Sequence, residues 1–207
     1  MDSSSLVIVL WLVGYVIGSI PFGVVVSRLL GTVDPRTAGS RNVGFTNVLR
    51  VSGKKAGILT LIGDIGKGWL IAWIGTLILS QESSILLVAL APIIGHLHSC
   101  FLGFKGGKGV ATALGAVLGV APLVGLTLMG LWLGAVAAWR YSSGGALFAF
   151  ALFPVAALFF HRSWLFVGFA FLVSTLIWTR HRDNLVRLWK GTERRIGERT
   201  PDQTATV

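Results

Sequence analysis

Three polar segments carry the residues whose types and spacing suit chemistry. The first runs from Gly31 to Lys55 (GTVDPRTAGSRNVGFTNVLRVSGKK) and holds Ser40, Arg41, Asn42, Thr46, Asn47 and Arg50, spaced by Gly39 and Gly44. Glycine lets backbone N–H groups turn toward a ligand at low steric cost. Hydroxyl, amide and guanidinium donors together suit a phosphate. A helix from Asn42 onward places Thr46, Asn47 and Arg50 on one face. A basic loop that only fixes membrane topology needs Lys and Arg, but not the Ser, Asn and Thr. The second segment, GFKGGKGVAT from Gly103 to Thr112, sets Lys105, Gly106, Gly107, Lys108 and Gly109 at the opening of an apolar run. It reads either as an anion cradle at a helix N-terminus or as a flexible basic turn. It is not a Walker A motif, because Leu102 stands where the first glycine belongs and Gly109 follows Lys108. The third, RHRDNLVRLWKGTE from Arg180 to Glu193, repeats His181, Asn184 and Leu188 at helical spacing. An amphipathic interfacial helix accounts for its leucines and Trp189, but does not require His181 and Asn184; a solvated basic helix is the alternative.

A fourth group, GDIGKG from Gly63 to Gly68, lies inside an apolar run. Asp64 and Lys67 at i, i+3 can pair. Ionisable groups in such a place face an interior or a cavity. The pair is therefore structural, or Lys67 lends positive charge to a ligand. His96 and His98 read as hydrogen-bonded structural residues, and His161 as solvated.

Absences narrow the reaction further. The eight acidic residues form no Asp-x-x-Asp pair and no cluster. Magnesium sites usually combine carboxylates with substrate phosphates, so no metal is expected and a metal-dependent phosphotransferase is disfavoured. No His is followed five residues later by Asp, and there is no G-x-S-x-G elbow. The single cysteine, Cys100, excludes a disulfide framework. What remains is a cationic site rich in hydroxyls and amides, suited to phosphate and poor in strong bases.

The elements that must position these groups are apolar. Of 207 residues, 54% are hydrophobic and 13% charged, with a mean hydropathy of +0.77. A soluble domain carries about 25% charged residues. Both a soluble protein and a disordered one are excluded. Runs near the roughly 20 residues that cross a bilayer lie at about 6–30, 56–79, 85–101, 110–121, 123–139, 146–160 and 164–179. The fourth is short and Pro122 follows it at once. The first lacks a basic start and an Ala-x-Ala site, so it reads as a retained span. The expectation is an all-α integral membrane protein with about seven transmembrane helices. Residues 1–196 form one transmembrane domain, and 197–207 a flexible tail.

Of the 18 Lys and Arg residues, all but Arg28, Lys67 and Arg162 fall on one side of this arrangement. The positive-inside bias then puts the N-terminus outside and the C-terminus in the cytoplasm. The net charge of +10 is read as topology and contact with membrane lipid, not as binding to nucleic acid. The polar segments face the cytoplasm.

GSRNVGFTNVLR, GHLHSCFLGFKGGKGVAT and RHRDNLVRLWKGTE, in this order, together with GSIPFG and GDIGKG, resemble the bacterial integral-membrane acyl-phosphate:glycerol-3-phosphate acyltransferases. The resemblance covers about residues 18–193. It implies a seven-helix enzyme of the bacterial inner membrane. Such an enzyme moves a fatty acyl group from acyl phosphate to the 1-hydroxyl of glycerol 3-phosphate, giving lysophosphatidic acid and phosphate in phospholipid biosynthesis. It implies no cofactor, and a soluble enzyme elsewhere that makes acyl phosphate. Carried over by position, Ser40 and Arg50 are the residues activity needs most, and Thr46 and Asn47 line the phosphate pocket. Gly106, Gly107, Lys108 and Gly109 bind glycerol 3-phosphate; His181 and Asn184 complete the site, and Glu193 is structural. The family's first motif reads Gly-Ser-Gly-Asn-x-Gly-Ala-Thr-Asn; here Arg41 replaces the middle glycine and Phe45 the alanine.

An acyl phosphate already carries a good leaving group, so the expected reaction is direct transfer by positioning and by donors aimed at developing charge. The proton acceptor is either His181 or a phosphate oxygen of the donor. A transporter of phosphate or of a phosphorylated metabolite is the rival class, though the polar residues cluster on one side only.

Overall fold

The computed structural model describes residues 3–198, whose regular elements are all helices, with no strand among them. The expected tail at 199–207 lies outside the described residues. Ile196 and Gly197 form a turn, with Glu198 N donating to Arg195 O at 3.4 Å.

Helix α1 (Ser3–Ser19) and α2 (Phe22–Leu29) meet at a 47° bend at Ile20–Pro21, where proline has no N–H to continue a helix. Helix α3 (Phe45–Ile78) is broken at Gly53, whose φ of 86° lies in the left-handed region that glycine enters freely. Helix α4 (Glu82–Leu97) leads through a short turn at Cys100–Leu102 and the glycine segment into α5 (Val110–Val120). Then follow α6 (Pro122–Trp139), the bent pair α7 (Ser142–Ala151) and α8 (Phe153–Phe160), α9 (Trp164–Arg180) and α10 (Arg182–Trp189). Helices α7 and α8 meet at 44°, and α9 and α10 at 63°.

Among the described residues, three helices are long and apolar enough to cross a membrane alone, or six spans if each bent pair counts as one. Helix α5 stands apart. Its 11 residues rise about 16 Å, against a hydrocarbon core of about 30 Å. The expected fourth span therefore does not continue as helix back through the glycines before it.

In lipid, little hydrophobic force draws one helix to another, so packing depends on close approach. Helices α3 and α5 touch backbone to backbone. A Cβ on Gly115 would lie 2.0 Å from Ile65 O, and one on Gly68 would lie 2.1 Å from Thr112 O. Helices α1 and α4 do the same, with Gly18 against Pro92 and Gly95 against Tyr15 O. A core of edge-to-face rings holds the other half: Phe153 meets Phe150, Phe166 and Phe169 at centroid distances of 5.9, 6.0 and 6.4 Å. The buried Ser174 Oγ finds a main-chain acceptor, donating to Phe150 O at 2.6 Å.

His161, expected to be solvated, is instead anchored. Its Nε2 lies 3.1 Å from Glu82 Oε1, Ser163 Oγ donates to Glu82 Oε2 at 2.8 Å, and its ring rests on Phe166. The turn is so short that it brings His161 and Ser163 directly onto the start of α4. By contrast Asp64 and Lys67 pair as the spacing predicts, at 2.8 Å with almost no exposure.

Gly115→Ala is expected to lower the unfolding midpoint in detergent, at a cost of about 1–3 kcal/mol for overpacking. Gly130→Ala, where the added Cβ meets nothing within 4 Å, leaves the midpoint unchanged or raises it. Thermal denaturation of the two variants checks the seam; equal midpoints refute it.

Candidate active site

The loop before α3 is organised by one amide. Asn47 Oδ1 accepts from Ser40 N at 2.8 Å, and Nδ2 donates to the carbonyls of Pro35, Ala38 and Asn42 at 2.9, 3.2 and 2.9 Å. Asn42 Oδ1 in turn accepts from Gly44 N at 2.8 Å, just before the helix begins. Asn47 is buried. Its polar atoms fix the loop, and with it the place of Ser40, whose Oγ has no partner among the described residues. One position earlier, Thr46 Oγ1 shares a hydrogen bond of 2.8 Å with Ser142 Oγ at the start of α7. One turn later Arg50 faces the same space with no hydrogen-bond or ion-pair partner among the described residues. Arg41 adopts φ 57°, the left-handed conformation that favours glycine.

The glycine segment is pinned from two sides. Gly106 N and Gly107 N donate to Leu97 O and His96 O at 3.1 and 3.0 Å. The Arg180 guanidinium donates to the carbonyls of Leu97, Gly106 and Gly107, at 3.1, 3.0 and 3.1 Å from Nη2. No side chain fits here: a Cβ would lie 2.0 Å from His96 O at Gly106 and 2.3 Å from His96 Nε2 at Gly107. Gly109 precedes α5 with φ 83°. The first N–H groups of a helix have no intrahelical acceptor, so those of Val110, Ala111 and Thr112 are available at this end of α5, and Val110 and Ala111 line the cavity beside Lys108.

Lys108, Asn184 and Glu193 form a chain. Lys108 Nζ donates to Asn184 Oδ1. Asn184 Nδ2 donates to Glu193 Oε1 at 2.6 Å, as does Ser143 Oγ at 2.6 Å, and Arg187 Nε donates to Glu193 Oε2 at 2.7 Å. Burial raises the Glu193 carboxyl's pKa, but the donors Ser143, Arg187 and Asn184 outweigh it and hold the group ionised. Glu193 thus ties α10 to α7, a structural part as expected. Burial pushes the Lys108 ammonium down to about 8. His181 is buried, and its Nδ1–H donates to Ile177 O at 2.8 Å. Burial, and then the charge of Lys108, lower the pKa of His181 to about 4. Its imidazole is neutral at pH 7, with the lone pair on Nε2.

These groups surround one cavity of about 870 Å³. Its wall brings together Ser40, Thr46, Asn47, Arg50, Gly107, Lys108, Gly109, His181 and Asn184. Lys105 is exposed and Gly106 sits behind the wall; neither is among the lining residues. Lys67 is also absent from the wall. It lies behind Asp64 and donates to Ile20 O at 2.8 Å. Asp64 and His96, whose Nδ1 is 3.5 Å from Asp64 Oδ1, do reach the cavity.

Several lining residues carried no signal of their own in the sequence. Ser142 and Ser143 stand in a short uncharged stretch. Arg180, which organises the glycine segment through its carbonyls, looked like one more rim cation, as did Arg187 and Arg194. Met129, Trp132 and Leu133 make an apolar wall, and their types do not differ from those facing lipid.

Residues 8–191 match the Glycerol-3-phosphate acyltransferase family. The chain is 48% identical over 204 residues to the glycerol-3-phosphate acyltransferase of Bordetella pertussis, covering 95% of this chain and 94% of that one. The protein of the same description from Neisseria gonorrhoeae is 46% identical over 194 residues, covering 90% and 96%. Among solved structures, PlsY (YgiH), an integral membrane glycerol 3-phosphate acyltransferase, superimposes in its glycerol 3-phosphate form with a TM-score of 0.88 at 39% identity, covering 92% of this chain and 96% of that one. Its lysophosphatidic acid form gives 0.86 at 38% identity, covering 92% and 95%. This chain is an integral membrane protein and belongs to the glycerol-3-phosphate acyltransferase family.

Proposed function

We propose that the cavity transfers a fatty acyl group from acyl phosphate to the 1-hydroxyl of glycerol 3-phosphate, directly and without a metal. The relatives' activity and the glycerol 3-phosphate and lysophosphatidic acid forms of PlsY support the acceptor and the product. The observation that carries the donor is the wall's composition. Arg50, Lys108 and Arg194 face the cavity with no carboxylate in an ion pair with them among the described residues, opposite Met129, Trp132 and Leu133. That is enough positive charge for two phosphates beside an apolar lane for one chain. A thioester would need less of it.

In this reading Arg50, Lys108 and the α5 N-terminus hold the two phosphates, with Ser40 and Thr46 donating to them and Asn47 keeping Ser40 in place. Lys105, away from the wall, supplies background charge, while the charge of Lys67 is matched by Asp64. The glycerol hydroxyl oxygen attacks the acyl carbonyl carbon, and the bond from that carbon to the phosphate oxygen breaks. The hydroxyl proton passes to a phosphate oxygen of the donor, and phosphate leaves. Two observations favour this over protein nucleophiles and bases. Ser40 Oγ has no adjacent base among the described residues, which an acyl-forming serine needs. His181, lowered to about 4, is a weak base at pH 7, and its ring is tied to Ile177 O at the end of α9. The N-terminus then lies outside and the cavity faces the cytoplasm of a bacterial inner membrane, where a soluble enzyme supplies acyl phosphate; seven crossings result if α5 completes one.

Three outcomes are expected. Purified protein releases phosphate from palmitoyl phosphate and glycerol 3-phosphate in the presence of a chelator, and stays idle with palmitoyl-CoA; turnover of the thioester alone overturns the donor. Arg50→Gln lowers kcat roughly 10²–10³-fold, the scale for removing one preorganised donor, and His181→Ala lowers it by less than about 10²-fold. A larger loss in His181→Ala with glycerol 3-phosphate binding intact assigns the proton to His181. Because Lys108 is charged below its pKa of about 8, kcat/KM falls as pH rises past that point. Lys108→Arg removes this limb, and a flat profile from pH 7 to 9.5 in the wild type rejects the role of Lys108.

A further inference from the structure

A second cavity, of about 570 Å³, opens where the α6–α7 corner meets the segment after α10. Its walls divide by chemistry. Trp139, Leu147 and Leu188 are apolar, whereas Arg140, Tyr141 and Arg195 are polar, and no carboxylate is among its lining residues. Both arginines are held in place. Arg140 caps α6 in the left-handed conformation, φ 63°. Its carbonyl accepts from Ile196 N at 2.7 Å, and its Nη2 donates to Ile196 O at 3.1 Å. Arg195 lies over the Tyr141 ring, 5.6 Å from the centroid, and its Nε donates to Tyr141 Oη at 3.3 Å. A guanidinium has five N–H donors. Each arginine uses part of its fork within the protein, and the rest remains for an anion.

The setting selects the kind of anion. This cavity is next to the larger one: Tyr141 and Gly144 flank Ser142 and Ser143, and Arg195 follows Arg194, so both open at the same end of the bundle. Trp139 is 48% exposed and Trp189 93% exposed at that end, as side chains are at a membrane–water boundary. Two guanidinium groups above an apolar floor, at the height of the tryptophans, match a phosphate that carries hydrocarbon below it. A free phosphate would leave that floor in water.

We propose that this cavity binds an anionic phospholipid of the surrounding leaflet, with the headgroup phosphate between Arg140 and Arg195 and the upper chain along Leu147 and Leu188. The site is separate from the reaction: neither arginine lines the larger cavity, so the proposal stands whatever the acyl donor proves to be.

The test is lipid binding to the full chain in detergent, read by native mass spectrometry. Phosphatidylglycerol and phosphatidylcholine of matched chains are titrated against the wild type, Arg195→Gln and the Arg140→Gln/Arg195→Gln pair. Phosphatidylglycerol is expected to bind the wild type several-fold more tightly. The preference falls about fivefold per arginine removed, the scale for one basic residue at an anionic surface, and excess inorganic phosphate does not displace the lipid. Arg195 is exposed, so Arg195→Gln keeps the wild-type melting temperature and turnover, and a lost preference in it is not a folding defect. Equal binding of the two lipids by the wild type, an unchanged preference in both variants, or displacement by inorganic phosphate each overturns the proposal.

Discussion

One guanidinium organises the cavity end of the molecule. Arg180, the last residue of α9, takes the carbonyls of Leu97, Gly106 and Gly107 into a single fork. The last carbonyls of a helix and those of an irregular segment need donors when they are withdrawn from water. Here one planar group satisfies them together, which a lysine's point charge does less well. With the carbonyls turned to Arg180, the glycine segment has one path, and that path delivers Lys108 and the opening of α5 to the cavity. The opposite wall is fixed in the same manner by Asn47, and the third by Glu193. Ser40 and the glycine segment with Lys108 are thus held in the cavity wall by neighbours that are themselves hydrogen-bonded.

A second constraint lies deeper. Asp64 and Lys67 are a charge pair inside the bundle, costly to bury unless geometry and further hydrogen bonds compensate. Lys67 also reaches Ile20 O at the bend between α1 and α2, and lies 5.6 Å from the Phe22 ring centroid. The pair thereby connects the kinked first span to α3, while Asp64 turns its carboxylate toward His96 on α4. Removing one partner would leave the other charged and alone, so these residues act as one unit joining three helices.

Much of this was legible from residue order. The membrane class followed from composition, and the three polar segments converge on one cavity as their chemistry suggested. The misses have local causes. Thr46, Asn47 and Arg50 all line the cavity, but the shared face did not show that Asn47, 2% exposed, commits its amide to the loop before α3. His161 finds its partner Glu82 across 79 positions of sequence, which no local pattern reveals. Arg41 stands where the resembling family has glycine, and the chain keeps the glycine-like backbone, φ 57°, with the side chain exposed. Gly107 lines the cavity while Gly106 sits behind it, and His96 leaves no room for a side chain at either position, a packing reason that residue type alone does not separate from a binding one.

Leu133 belongs to the cavity wall and is nevertheless 53% exposed. A residue with both properties carries the cavity wall to the outer surface of α6, on an apolar flank of the bundle. Trp132, whose indole Nε1 donates to Ser142 O at 3.3 Å, forms a fixed doorpost beside it. If the cavity takes the single-tailed donor proposed above, this wall offers it a lateral door from the leaflet, with its tail never leaving oil. Its encounter would then be a search in two dimensions, governed by the fluidity of the leaflet and not by solubility.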